Sequence, residues 1–384
     1  MKRTPSLLYP RLFYLFFFSG MSSLMPYLAM HYESRGLSGS QIGTLVALFP
    51  LTMMVSAPLW SALADATRRH QMVIFGTTVG SCLAVALLLG ADTFLQTLVP
   101  VFLFAFFSGP ILPLADSAVL EMLGDRPDAY GAQRVLGTLG PAIAGPIVSS
   151  LVGRWGLSVS IYGYILFFSL LAVLLLLWKI DVGELGVPLS RGFGQLLRNT
   201  GFRRFLLVSF LGMAGYIANM IYMYVRMEEL GAPDALLGFG LTMGTIGEIP
   251  FLLASGWLLR RFGTRGTITG GLLAMTLVLL GYALAPAPGI LLGLQLLHGT
   301  AYTGMAVSGV AYAGEVAPPG MSSTAQGLFN AVYGGLAMAV GGMTSSIVRE
   351  QCGSPAMFGV ASASAAIGLA VFLTAQRRRQ PSET

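Results

Sequence analysis

Charge is what this sequence is short of. Only 10% of its residues are Asp, Glu, Lys or Arg, where a soluble domain carries roughly 25%, so water is not its main solvent. Cysteine is nearly absent too: two in 384 residues. Cys82 falls inside an apolar stretch and Cys352 in a loop, and no disulfide framework is implied. With three scattered histidines, the cysteines are too few for a metal site. No Gly-x-x-x-x-Gly-Lys run occurs, so ATP does not drive the protein directly. No Ser-centred elbow stands out either. The expectation is a protein that is not an enzyme and needs no metal or organic cofactor.

What is present is apolar length. Hydrophobic residues make up 55% of the chain and mean hydropathy is +0.74. Stretches of about 20 residues, enough to cross a hydrocarbon core of about 30 Å as helix, fall at 8–32, 39–63, 72–91, 96–122, 130–152, 157–180, 203–227, 235–259, 267–285, 289–313, 321–347 and 355–375. In lipid the backbone must bond to itself, which makes these helices. The unbroken run Ile165 to Trp178 excludes a β-barrel of alternating strands. The fold class expected is an all-α membrane protein of twelve transmembrane helices. The N-terminus is basic and then apolar, like a signal peptide, but its apolar stretch is too long and lacks a cleavage pattern. It reads as a retained first span.

The net charge of +6 is a matter of topology. With the N-terminus inside, the inner loops and ends hold Lys2, Arg3, Arg11, Arg68, Arg69, Arg126, Lys179, Arg191, Arg198, Arg203, Arg204, Arg260, Arg261, Arg265 and Arg377 to Arg379. The outer side holds Arg35, Arg154, Arg226 and Arg349. That bias is the positive-inside pattern. It predicts a multi-pass protein of the cell (inner) membrane with both termini cytoplasmic. The lipid bilayer and a small-molecule substrate are its expected partners, nucleic acid is not, and a monomer is the expected functional unit.

The longest polar segment, 181–202, splits the spans six and six: a bundle over 1–180, a cytoplasmic linker, and a bundle over 203–384. An internal repeat supports the cut. A shift of 195 positions puts Glu33, Gly36 and Gly43 on Glu228, Gly231 and Gly238, and Ser61–Asp65 on Gly256–Arg260, with basic residues following both. Duplicated six-helix halves are a recurring transporter plan. The first copy, with Leu63, Asp65, Arg68 and Arg69, resembles the Gly-x-Leu-x-Asp-x-x-Gly-Arg-Arg loop of the major facilitator superfamily. Ser61 stands at the first Gly and Arg68 at the second. The second copy keeps Gly256, Arg261, Gly263 and Arg265 and has Arg260 at the Asp position. The resemblance implies that Asp65, Arg68, Arg69, Arg260, Arg261 and Arg265 form gating loops. Glu121 and Glu315 are expected to partner the loop arginines. Gly-rich stretches at 140–150 and 334–346 read as close-packed helix surfaces.

Ionisable groups near mid-bilayer cost at least ~2.5–3.5 kcal/mol and mark function. Asp116 lies ~9–12 Å from the inner end of span four at 1.5 Å per residue, and Arg134 in span five is placed to pair with it. The segment 113–140 is similar to that of the lactose permease and phenylpropionate permease branch, in which an acidic residue eighteen positions before an Arg helps hold the solute. Asp116 and Arg134 share that spacing, with Gly131 and Gly137 also matching and Pro141 where the sugar permease has Trp. His298 resembles that branch's proton-coupling His. Ala301 and Val278 stand where its partners would be, and Glu248, beside Pro250, is read as the missing carboxylate. Glu248 with His298 as hydrogen-bond partner is the expected proton-coupling site, the proton being the coupling ion. Asp116, Arg134, Tyr216, Asn219, Gln295 and Asn330 are the expected substrate-binding residues, with Tyr222 a further candidate lining residue. Arg226, Glu228 and Glu229 are expected to be solvated. The resulting expectation is proton-coupled symport, by alternating access, of an aromatic acid, nucleoside or oligosaccharide-like solute. The four mid-bilayer groups would face one watery chamber. Proton-antiport efflux is the alternative, and a non-transporting membrane sensor a third reading.

Overall fold

A chain that finds no water around its backbone closes its hydrogen bonds locally. In the computed structural model, which describes residues 7–124, 126–178 and 189–377, every regular element is helical. Helices α1 (Leu8–Leu24), α2 (Leu28–Ser34), α3 (Gly39–Thr67), α4 (His70–Leu87), α5 (Phe94–Ser108), α6 (Ile111–Leu123), α7 (Tyr130–Trp155) and α8 (Ser158–Leu177) come first. Then follow α9 (Leu189–Arg198), α10 (Thr200–Glu229), α11 (Asp234–Leu284), α12 (Pro288–Val316), α13 (Ser322–Asn330) and α14 (Ala337–Arg377). A π-helical stretch, Ala331–Leu336, joins the last two. The linker expected at 181–202 lies partly outside the described residues, as do Lys2, Arg3, Lys179, Arg378 and Arg379.

Ten helical segments are long and apolar enough to cross a membrane, which makes this a multi-pass membrane protein. Two of them are unusually long, at 39 and 53 residues. Each contains a glycine whose backbone leaves the helix: Gly263 at φ 67° and Gly353 at φ 81°. Polar side chains start the helices where the chain re-enters them. Ser38 with Gln41, and Thr93 with Gln96, form reciprocal capping boxes for α3 and α5, each satisfying amides that have no partner inside the helix. Asn199 accepts from Gly201 and Phe202 at the start of α10.

The chain divides into two units. One comprises Met1–Gly192 and Pro318–Ala331, the other Phe193–Ala317 and Val332–Thr384. In the first, α1 lies against α7 and α8. Its Phe13 and Phe17 stack on each other, with Trp178 against Phe13 and Phe168 against Phe17. Helix α13 packs on α3 and α6. In the second, α11 packs on α12 and α10 on α14, around a core that includes Met275, Leu279, Tyr282 and Phe358.

The small-residue surface at 140–150 packs at a defined point. A Cβ added to Gly140 would sit 2.8 Å from the Leu15 carbonyl of α1, so only glycine lets the two backbones come this close. Gly145, one and a half turns on, has nothing within 4 Å. Replacing Gly140 by Val is therefore expected to lower stability by about 1–3 kcal/mol through overpacking, read as a fall in the thermal unfolding midpoint in detergent. Gly145→Val on the same helix should leave that midpoint in place.

Candidate functional site

Asp116 is fully buried, with 0% of its surface exposed. A carboxylate there needs donors, and two neighbouring helices supply them. Tyr14 of α1 and Tyr130 of α7 each donate a phenolic hydrogen bond to Oδ1 at 2.7 Å. Arg134, one turn beyond Tyr130, donates to the Tyr130 hydroxyl at 3.0 Å and places Nη1 3.9 Å from Asp116 Oδ2. Its guanidinium also lies over the Phe18 ring, 5.4 Å from the centroid. The Asp116–Arg134 pair anticipated from spacing is thus brought together. Oδ2 accepts no hydrogen bond, which leaves one acceptor of the pair open to a donor.

A second buried cluster surrounds Asp65, near the end of α3. Helix α13 starts without a cap of its own, for the side chain of Met321 cannot serve as one. Asp65 supplies it from another helix. Its Oδ2 accepts from the backbone N–H of Thr324 and from the Thr324 hydroxyl, both at 2.6 Å. A carboxylate at a helix N-terminus meets free amides and the positive end of the dipole at once. Oδ1 lies 2.9 Å from His70 Nε2, which is also 2.8 Å from Ser323 Oγ. Ser323 in turn donates to Ser117 Oγ at 2.9 Å. Aspartate, histidine and serine thus meet without forming a relay: both contacts fall on Nε2, and Nδ1 has no hydrogen-bond partner. A catalytic triad needs one partner on each ring nitrogen. The cluster is a clasp, holding α13 to α3, α4 and α6.

The two departures from the loop motif have different physical outcomes. At the second motif glycine, Arg68 adopts φ 57°, the left-handed region, and so bears a cost of ~1–2 kcal/mol that glycine would not. At the first, Ser61 has a counterpart: Gly327 of α13, where an added Cβ would lie 2.7 Å from Ser61 Oγ and 2.9 Å from the Pro58 Cα. The small residue has moved to the facing helix. Arg68, Arg69, Arg260 and Arg261 are exposed and Arg265 half-buried. Glu315, expected to partner an arginine, accepts from Thr264 Oγ1 at 2.7 Å.

In the second unit, α10 and α12 bring together four of the expected residues. Asn219 Nδ2 meets His298 Nε2 at 2.8 Å, and Gln295, one turn before His298, donates to the Met223 sulfur. The Tyr216 ring stacks on His298 and on Tyr302, with centroids 4.5 and 4.8 Å away. Asn219 Oδ1 and Gln295 Oε1 accept no hydrogen bond. The hydrogen-bond partner of His298 is Asn219, and Glu248 does not take that place as expected. Glu248 is half-buried on α11, which crosses α12 backbone to backbone: a Cβ on Gly299 would lie 2.9 Å from the Glu248 amide nitrogen. Pro250 lies within the same helix and removes the donor that the Ile246 carbonyl would have used. Asn330 is spent on its own helix, donating to the Gln326 carbonyl at 3.0 Å, and belongs to the first unit.

Tyr222 bonds Ser346 across α10 and α14 at 2.6 Å and carries the Arg349 guanidinium over its ring. The expectation that Arg226 is solvated is wrong. It is buried, donating to Glu229 and to the Ala285 carbonyl at 3.4 Å each. Its helix end is covered by the turn after α11, which a reading of helix ends alone does not reveal. Among the described residues no three His, Cys, Asp or Glu side chains come close enough to hold a metal ion. Sequence reasoning missed Tyr14, Tyr130, His70, Ser117, Ser323 and Thr324. The motif exchange yields a test: Gly327→Ala should destabilise the chain by about 1–3 kcal/mol through overpacking. Adding Ser61→Gly should restore the unfolding midpoint, whereas additive losses would show that these two positions do not share the space.

The comparisons with known proteins agree with this architecture. The chain is 28% identical over 378 residues to a maltose permease of Geobacillus stearothermophilus, covering 97% of this chain and 95% of that protein. Its fold matches the Escherichia coli fucose:proton symporter FucP with a TM-score of 0.80 at 15% identity, covering 99% and 100% of the two chains. It matches the human organic anion transporter MFSD10 with a TM-score of 0.79 at 16% identity, covering 95% and 98%. The model of the MFS_1-like family matches residues 8–360, and with nearly the whole length accounted for, the chain belongs to that family of membrane transporters.

Proposed function

We propose that this transporter carries a small organic solute together with a proton, by alternating access. The observation that carries the reading is the buried Asp116–Arg134 pair, whose two charges are 3.9 Å apart with one carboxylate oxygen free of hydrogen bonds. A buried ion pair costs desolvation energy and is weak evidence for stability, so its retention is better explained by use. Arg134 would anchor an anionic or hydroxyl group of the solute, and Asp116 would accept a hydroxyl or neutralise a cation. Tyr216, Asn219 and Gln295 are proposed as polar contacts, Asn330 as a further one. Proton coupling is assigned to Glu248, with His298 acting through Asn219 and not through a direct bond to the carboxylate. No cofactor enters: the coupling ion is the proton.

The similar proteins named above bear on solute class. One is called a maltose permease, one a fucose:proton symporter and one an organic anion transporter. All three solute types offer the hydroxyls or carboxylates that an arginine–aspartate pair recognises. We read each of the two long glycine-broken segments as two crossings, giving twelve spans in two halves of six separated by the linker at 181–202. Basic loop residues then place both termini in the cytoplasm. The loop residues Asp65, Arg68, Arg69, Arg260, Arg261 and Arg265 would act in gating and not touch solute.

The test is accumulation in proteoliposomes under an imposed proton gradient, with maltose, fucose, a nucleoside and an aromatic acid as labelled solutes. The chain is expected to concentrate one of them. Glu248→Gln should abolish concentration while leaving exchange across the membrane intact. A Glu248→Gln protein that concentrates solute as the parent does would remove Glu248 from the coupling site. Solute-driven proton release in the opposite sense would favour antiport efflux.

A further inference from the structure

The solute pair and the clasp are described above as separate clusters, yet they share a helix and meet at consecutive residues. On α6, Asp116 turns toward α1 and α7, where Tyr14, Tyr130 and Arg134 hold it. Ser117, about 100° further round the helix, turns toward α13 and accepts the Ser323 hydroxyl at 2.9 Å. From Ser323 the chain of contacts runs to His70 Nε2, to Asp65 and to the first turn of α13. Every member is buried, Ser117 at 1% and Ser323 at 0% exposure, so no water can replace a broken bond.

We propose that Ser117 is a positioning residue that transmits the state of the Asp116 carboxylate to the clasp on Asp65. The proposal rests on Asp116 being part of the solute site. Because α6 is a rigid rod over this span, its register is fixed on one face by the tyrosine and arginine contacts of Asp116. That register presents Ser117 to Ser323 on the other face. A ligand group that bonds Asp116 in place of a tyrosine or of Arg134 changes how the helix is held, and the Ser323 hydroxyl loses its acceptor. Ser323 and His70 then lose their shared geometry, and the amides of α13 are left to Asp65 alone. The π-helical stretch Ala331–Leu336, with Gly334 and Gly335, follows the clasped segment directly. Its irregular hydrogen bonding lets Ser322–Asn330 shift without turning the helix beyond it.

The experiment needs no solute, so it fails or succeeds independently of the transport reading. In the full chain, with Cys82 and Cys352 changed to Ser, Ala325→Cys places a thiol on α13 at a position that is fully buried while the clasp is shut. Its rate of alkylation by a maleimide in lipid nanodiscs reports opening. Asp116→Asn is expected to raise that rate about three- to tenfold where Ser117 is present, the size of coupling found between neighbouring groups. Ser117→Ala should raise the rate by itself and reduce the added effect of Asp116→Asn to within about twofold. Ser323→Ala breaks the same bond from the other side and should give the same cycle, which keeps the test decisive if one variant aggregates on gel filtration. An Asp116→Asn effect of equal size with and without Ser117, or no effect in either background, overturns the proposal.

Discussion

A carboxylate at membrane depth with no water beside it must be held by donors or lose its charge, and Asp116 is held by three. Two tyrosine hydroxyls share one oxygen at 2.7 Å, and a guanidinium faces the other at 3.9 Å. Charged groups in this position cost at least ~2.5–3.5 kcal/mol, so the surroundings have to be arranged around the pair. They are. Gly140 brings α7 onto α1, which sets Tyr14 and Tyr130 on opposite sides of the same carboxylate. The aromatic packing of Phe13, Phe17 and Trp178 fixes the position of α1 behind Tyr14. Much of the first unit can be understood as a mount for one buried charge.

The clasp on Asp65 follows the same physical rule with a different partner. There the carboxylate is satisfied by the open amides and a hydroxyl of a helix start, a set of donors that exists only while α13 is docked. One acidic group is thus paired with a fixed cation and the other with a detachable end of secondary structure. The second unit has a different character: its central polar groups are amides, an imidazole and stacked rings, with Glu248 on the adjoining helix. Buried amide oxygens without partners, as in Asn219 and Gln295, are rare in packed interiors. Their presence in one place marks them as groups reserved for something besides packing.

The helical membrane architecture was legible in the sequence because burial in lipid imposes a single length and a single hydrogen-bonding solution. The Asp116–Arg134 pair was legible too, since two opposite charges on neighbouring apolar helices have few other places to go. Tyr14 and Tyr130 were not, for a tyrosine in an apolar run looks the same whether its hydroxyl is bonded to a carboxylate or lies at a membrane surface. His70 was hidden at the end of a basic loop, where it reads as one more solvated cation. Ser323 and Thr324 gave no signal beyond that of an ordinary helix start. The exchange of small residues between Ser61 and Gly327 was invisible in one strand of text, because it joins positions far apart in the chain. Arg226 was misplaced for the same reason: what covers it comes from a distant turn.

The central claim is that Asp116 and Arg134 are charged partners, each tolerable in the membrane because of the other. It is tested most directly by neutralising them singly and together, with Asp116→Asn, Arg134→Gln and the double variant, and measuring unfolding midpoints in lipid nanodiscs. Breaking a buried pair typically costs about 3–5 kcal/mol, whereas removing both members is often close to neutral. The account predicts that each single change lowers the midpoint more than the double change does. Losses that simply add would mean that the two side chains answer to other neighbours, and the site would have to be sought elsewhere in the molecule.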